Sequence, residues 1–292
     1  MSTHGKPRTT YDPTTDYRPV IELDQTVLPE ALRHGMELWW DDSTPKARLD
    51  QRNGDDGFTR FVNARIEGKM AERAFVDLLQ RDFGVDSTVD YRIYGDYTTT
   101  DDGDLQHLID DYGNECELGV DFDLKKTKPY NSWLAIRDTI YQKLDAGAPV
   151  ILSMLRIEED IDLEPWADAT EWSDVETDDE FRERLLDFAD TAFPLEVEFR
   201  GTVFPCEFTD YFEEGDRLYD PSSGRELGGP LRCDNMGCHV RDLNTSPARW
   251  NEIVSLLIGD SEISWNPLTV ASDTDPSGES PRGEPLTPTS AD

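Results

Sequence analysis

Acidic residues outnumber basic ones by more than two to one, 63 Asp and Glu against 28 Lys and Arg, and they run from Asp12 to Asp292 instead of gathering in a tail. With a formal net charge of −35, any compact state of this chain must tolerate repulsion over its whole surface. Only 36% of the residues are hydrophobic, yet 7 Trp, 10 Tyr and 12 Phe are too many for a fully disordered chain. A length of 292 residues suits one large domain or two small ones with a real core. No run of 18 apolar residues occurs, so no transmembrane helix and no membrane partner are expected. Residues 1–10 are polar with no apolar h-region, which speaks against secretion by that signal. The 4 cysteines are irregularly spaced and make no disulfide framework, so a reducing cytoplasm is expected.

The positive charge is divided unevenly, into 21 Arg and 7 Lys. A self-repelling surface is tolerable where the Debye length shrinks to about 3 Å, near molar salt. The composition resembles that of haloarchaeal proteins, and a cytoplasmic protein of an extreme halophile is the expectation; a mesophilic acidic protein binding basic partners is the alternative. On the halophile reading the acidity does not argue against nucleic-acid binding, because counterion release contributes little in molar salt.

Five segments follow from the pattern. Residues 1–20 are expected to be a flexible N-terminal segment, and residues 263–292, rich in Pro, Ser and Glu, a disordered tail. Residues 21–157 read as an α/β core, 158–194 as an acidic helical insertion and 195–262 as an appended β-rich C-terminal portion. Within the core, Phe61, Ala64, Ala71, Phe75, Leu78 and Leu79 make a helical stripe over residues 57–83, with Gly84 as the stop. Residues 116–126 alternate as one strand, with Leu118, Val120, Phe122 and Leu124 on one face and Asp121, Asp123 and Lys125 on the other. Residues 133–136 and 149–157 read as further strands, 138–144 and 250–258 as helices, and 195–203 and 207–211 as late strands.

An acidic-x-Lys triplet is weak evidence here, since about 1.5 are expected by chance and two occur, Glu67-Gly68-Lys69 and Asp123-Leu124-Lys125. Context separates them: residues two apart diverge on a helix and coincide on a strand. Lys125, Lys126 and Lys128 also lie within four residues of a chain that otherwise prefers Arg. That concentration suggests a task for a compact ammonium; lysines offsetting acids at a solvated strand end are the bland alternative.

Gly68-Lys69-Met70-Ala71-Glu72 on a helix, Gly103-Asp104 about thirty residues later, and a strand ending Asp121-Phe122-Asp123-Leu124-Lys125 form an ordered series. That series resembles the PD-(D/E)XK nuclease superfamily, over roughly residues 57–157, with 133–136 and 150–157 similar to the rest of its core. It departs from the family pattern in having no Pro before Asp104, and in Asp123 where many relatives have Glu. The resemblance implies a restriction-endonuclease-like mixed β-sheet core flanked by helices, with the β-rich portion appended. It also implies a Mg²⁺-dependent (or Mn²⁺-dependent) endonuclease acting on DNA in defence, repair or mobile-element biology. Asp104, Asp123 and Glu72 would be the metal ligands, Lys125 the fourth catalytic residue, and Lys126 and Lys128 nucleic-acid contacts, with Tyr130 or Trp133 stacking on a base. Asp102 and Asp121 stand as alternative ligands. A homodimer or a larger defence complex would suit such an enzyme, and a non-catalytic binding or scaffold subunit with the same fold is the rival reading.

Other constellations carry less. Cys233-Asp234-Asn235-Met236-Gly237-Cys238-His239 invites a zinc site with Cys206, but the spacing fits no common module, and buried cysteines in a strand and its approach are expected. His34 is expected on a surface helix and His107 in a structural position. The sequence has no Gly-x-x-x-x-Gly-Lys loop, Gly-x-Gly-x-x-Gly fingerprint or Gly-x-Ser-x-Gly elbow.

Overall fold

Successive residues of one strand, β7 (Val150–Leu155), face two different hydrophobic cores: Ile151 and Leu155 belong to one, Val150 and Leu152 to the other. Strand alternation thus makes β7 the partition of the molecule. The computed structural model describes residues 15–41, 57–93 and 105–270 as a mixed α/β protein with three sheets. β7 lies in a four-stranded sheet ordered β1 (Val20–Leu23), β8 (Leu195–Val203), β7, β5 (Asp123–Thr127). Among the described residues, only the β5–β7 pair of this sheet is parallel.

On one face, helices α1 (Leu28–Trp40), α2 (Gly57–Leu78) and α6 (Pro247–Ile258) bury Leu32, Met36, Phe75 and Trp250 with Ile151, Val197 and Phe199 of the sheet. The Phe75 ring sits 5.3 Å from that of Phe122, a tilted pair worth about 1 kcal/mol beyond its buried area. The other face is covered by a second sheet, β6 (Trp133–Arg137), β10 (Asn235–His239), β9 (Asp210–Phe212), through Leu134, Ile136 and Cys238, with the one-turn helix α3 (Asp138–Tyr141) following β6. The third sheet is a meander of β2 (Asp86–Val89), β3 (Leu105–Ile109) and β4 (Glu115–Cys116). Among the described residues, no helix is long and apolar enough to cross a membrane.

Local chemistry explains the ends. α2 continues through a π turn, Leu79–Phe83, and stops at Gly84, whose φ of 70° is the left-handed cap that glycine adopts without strain. Asp178 accepts from the backbone N–H groups of Glu180 (2.8 Å) and Phe181 (3.2 Å) and so caps α5 (Asp179–Ala192). Ser246 caps α6 in the same way, with Pro247 in its first turn.

Several expectations are corrected. Residues 116–126 are not one strand: pairing stops at Cys116 and resumes at Asp123. The break is at Gly119, which donates its N–H to Leu257 O (2.8 Å) and lies so close to α6 that a Cβ would meet Leu256 O at 2.4 Å and Gly259 Cα at 2.5 Å. Residues 195–203 are not appended, since β8 lies between β1 and β7 in the central sheet. Leu163, Val175, Phe181 and Phe188 belong to the helix-side core, so the acidic segment carrying α4 (Trp172–Glu176) and α5 is integrated into the fold. Tyr17 packs edge-on against Phe83 and Trp250, and the tail as far as residue 270 is anchored by Ile263 and by Asn266 N–H donating to Phe83 O (2.7 Å). His34 is on a helix but buried; desolvation, with Lys69 nearby, pushes its pKa down to about 4.

Candidate functional site

Among the described residues β5 is an edge strand, paired only with β7, and its two faces carry opposite chemistry. In register, Asp123 pairs with Val150 and Lys125 with Leu152, the residues that face the second sheet. Leu124 and Lys126 pair with Ile151 and Ser153, on the helix side, and Leu124 packs against the helix-side core. The expected coincidence of Asp123 and Lys125 on one strand face is therefore what the backbone produces. Lys125 Nζ lies 2.5 Å from Asp123 Oδ1. Asp123 Oδ2 is buried and has no hydrogen-bond partner among the described residues. A buried carboxylate oxygen left unpaired costs free energy unless something positive meets it. That oxygen fits a hard cation, which prefers carboxylate donors.

The remaining expected residues fall elsewhere. Glu72 is buried on α2, where its Oε2 takes an ion pair from Lys69 Nζ at 2.7 Å; the same ammonium donates to the carbonyl of Asp90 just beyond β2. Glu72 is thus on the helix side of the sheet while Asp123 faces the second sheet, and the two do not share a face. The reason is that Phe122 and Leu124, not Asp123, turn toward α2. Asp104, with its alternative Asp102, lies outside the described residues; its neighbour Leu105 opens β3 opposite Val89. Asp121, the other alternative, is exposed and precedes the strand. Among the described residues, no three His, Cys, Asp or Glu side chains converge as a metal-holding group.

Lys126 and Lys128 turn toward α2 and converge on Glu67. Lys126 Nζ donates to Glu67 Oε2 (2.6 Å) and Ala64 O (2.8 Å), and Lys128 Nζ donates to Glu67 Oε1. Glu67 is buried; burial alone would raise its pKa, but the two ammoniums outweigh this and hold it below the usual carboxylate range. Burial lowers Lys126 in turn, against the pull of Glu67. Sequence reasoning set Glu67 aside because residues two apart on a helix, Glu67 and Lys69, do not face each other. A signal was present: the stripe over residues 57–83 has one empty rung between Ala64 and Ala71, and Glu67 fills it.

Trp133 is engaged in the second sheet, edge-on to Phe212 and His239 with its Nε1 donating to Tyr219 O (2.8 Å), whereas Tyr130 is 66% exposed. Cys238 is buried and Cys233 half-buried, but Cys206 is exposed. His107 bridges toward Glu115 (3.3 Å) between β3 and β4. No protein-family model matches the chain, and neither a curated protein nor a solved structure does.

Proposed function

We propose that the protein is a Mg²⁺-dependent (or Mn²⁺-dependent) endodeoxyribonuclease of the PD-(D/E)XK type, working in the salt-rich cytoplasm of an extreme halophile. The observation that carries this reading is Asp123, whose buried Oδ2 has no partner among the described residues while Oδ1 holds Lys125 Nζ at 2.5 Å. The order of elements supports it too: helix α2, the β2–β3 hairpin, then an acid-x-Lys strand parallel to the next core strand, β7.

Asp123 would hold the metal through Oδ2, and Asp104 would join it from the sequence position just before β3. A divalent ion bound there supplies charge to polarise a phosphate and acidify a water. Lys125, one-third exposed, can donate from the remaining ammonium hydrogens to that water or to a phosphate oxygen as its charge grows. Asp123 fixes the Lys125 ammonium in place, so orientation needs no further ordering at the moment of reaction. Glu72, held by Lys69, is left out of this first set of ligands.

A second reading, a non-catalytic nuclease-fold binding or scaffold subunit, is favoured by one specific observation: both buried α2 carboxylates, Glu67 and Glu72, are already taken by lysines. Plasmid nicking in molar KCl with Mg²⁺ or Mn²⁺ separates the two. Cleavage that is lost in Asp123→Asn and Lys125→Ala, with unfolding midpoints kept, is the expected result. An inert wild type across DNA substrates, metals and salts refutes the enzyme and leaves the binding subunit.

A further inference from the structure

With Asp123 as the nuclease centre, the reading on which this proposal rests, the depth of the site selects the form of DNA that it takes. Asp123 and Lys125 do not stand on open surface. Their side chains are 15% and 33% exposed, on the strand face that the second sheet covers. Sheets packed face to face lie about 10 Å apart. The way to Asp123 is therefore the margin of a narrow gap between β5 and the second sheet. A double helix is wider than its own major groove of about 12 Å and does not enter such a gap, whereas one sugar-phosphate backbone does.

Charge points the same way. Lys126 and Lys128, expected as nucleic-acid contacts, are paired with Glu67 on the other face of β5, which leaves Lys125 as the strand's one ammonium on the Asp123 face. Asp121, exposed, stands just before the strand. The second phosphate row of a duplex would find no cation of β5 to meet, and in molar salt phosphate contacts contribute little. Affinity must then come from contacts that salt does not screen. Stacking is such a contact, and unpaired bases offer it, since each has a free π-face that a duplex has already used. Two exposed phenol rings lie where β5 passes into β6. Tyr130, 66% exposed, is in the five-residue link between the strands, and Tyr219, 49% exposed, accepts at its carbonyl from Trp133 Nε1 at the start of β6. Leu218, beside Tyr219, lines one cavity with Tyr130. The end of β5 is about 13 Å beyond Asp123, so these rings meet bases flanking the scissile phosphate. We infer that the protein cuts single-stranded DNA, with the backbone entering the gap at Asp123 and Lys125 and flanking bases stacked on Tyr130 and Tyr219.

The test gives the full chain, in molar KCl with Mg²⁺, one labelled oligonucleotide in three forms: a single strand, a blunt duplex, and a duplex with a central unpaired bubble. The single strand is expected to be cut with a kcat/KM at least about tenfold above that of the duplex, and cuts in the third form should fall in the bubble or at its junctions. Tyr130→Ala should raise KM on the single strand about tenfold, the worth of one stacked base, and leave kcat unchanged. Tyr130→Phe keeps the ring and should behave as the wild type. Tyr130 is exposed, so the unfolding midpoint of both variants should hold. A duplex cut as fast as the single strand, or an unchanged KM in Tyr130→Ala, overturns the inference while the nuclease reading stands. A protein that cuts none of the three forms with Mg²⁺ or Mn²⁺ fails as a nuclease, and the choice of substrate falls with it.

Discussion

The two faces of β5 pose opposite electrostatic problems within five residues. On the face toward the second sheet, one carboxylate has one ammonium and a spare buried oxygen. On the face toward α2, one carboxylate has two ammoniums. The first is short of positive charge and the second short of negative charge. A strand separates them cleanly because its side chains alternate, and an edge strand can leave both accessible. The same short Lys-rich run therefore carries two opposite charge arrangements, and neither is visible from its composition.

The comparison breaks most severely at Gly119. Gly119→Ala puts a Cβ against α6 backbone that cannot give way, and a loss of about 3 kcal/mol is expected in denaturant unfolding. Because Gly119 sets where β5 begins, both faces should suffer together; a variant as stable as the wild type would show that the close approach to α6 is not needed.

Glu67→Gln attacks the donor-rich face alone. Glu67 is buried but its lysines are about one-third exposed, so the expected cost is about 2 kcal/mol, between the values for buried and surface pairs. The pH dependence sharpens this. With the folded pKa of Glu67 lowered, its stabilising effect is complete above the unfolded value of about 4.3 and disappears as pH falls through the lower folded value. The gap between wild type and Glu67→Gln should accordingly close on acidification below pH 4.3, and a constant gap would mean that the carboxylate charge is not what the lysines recognise.

The smallest effect is expected on the acceptor-rich face. Asp123→Asn should alter stability without metal by less than about 1 kcal/mol, since one oxygen has no partner among the described residues to lose and Lys125 reaches solvent. Magnesium at ten times its dissociation constant should then stabilise the wild type by about 1.4 kcal/mol and Asp123→Asn hardly at all. Equal stabilisation of the two proteins would move the cation elsewhere.

Much of this architecture was legible in the residues, and the misses have physical causes. The α2 stripe, the stop at Gly84 and the buried β7 follow from periodicity, because both ends of each pattern lie within one element. The break at Gly119 did not, since it depends on α6, more than a hundred residues away. Asp123 beside Lys125 was readable as a strand repeat. The pairing of Glu67 with Lys126 and Lys128 was not, because charge within an apolar stripe resembles noise until its partner strand is known. The separation of Glu72 from Asp123 likewise depends on which strand face meets α2, and Phe122 packing on Phe75 decides that.

The place of β8 between β1 and β7 bears on how the chain is made. β1 has no other strand partner among the described residues, so it waits for one that emerges about 170 residues later. Pairings so distant in sequence fold slowly, and until translation has passed Val203 the nascent chain holds β1 without that mate.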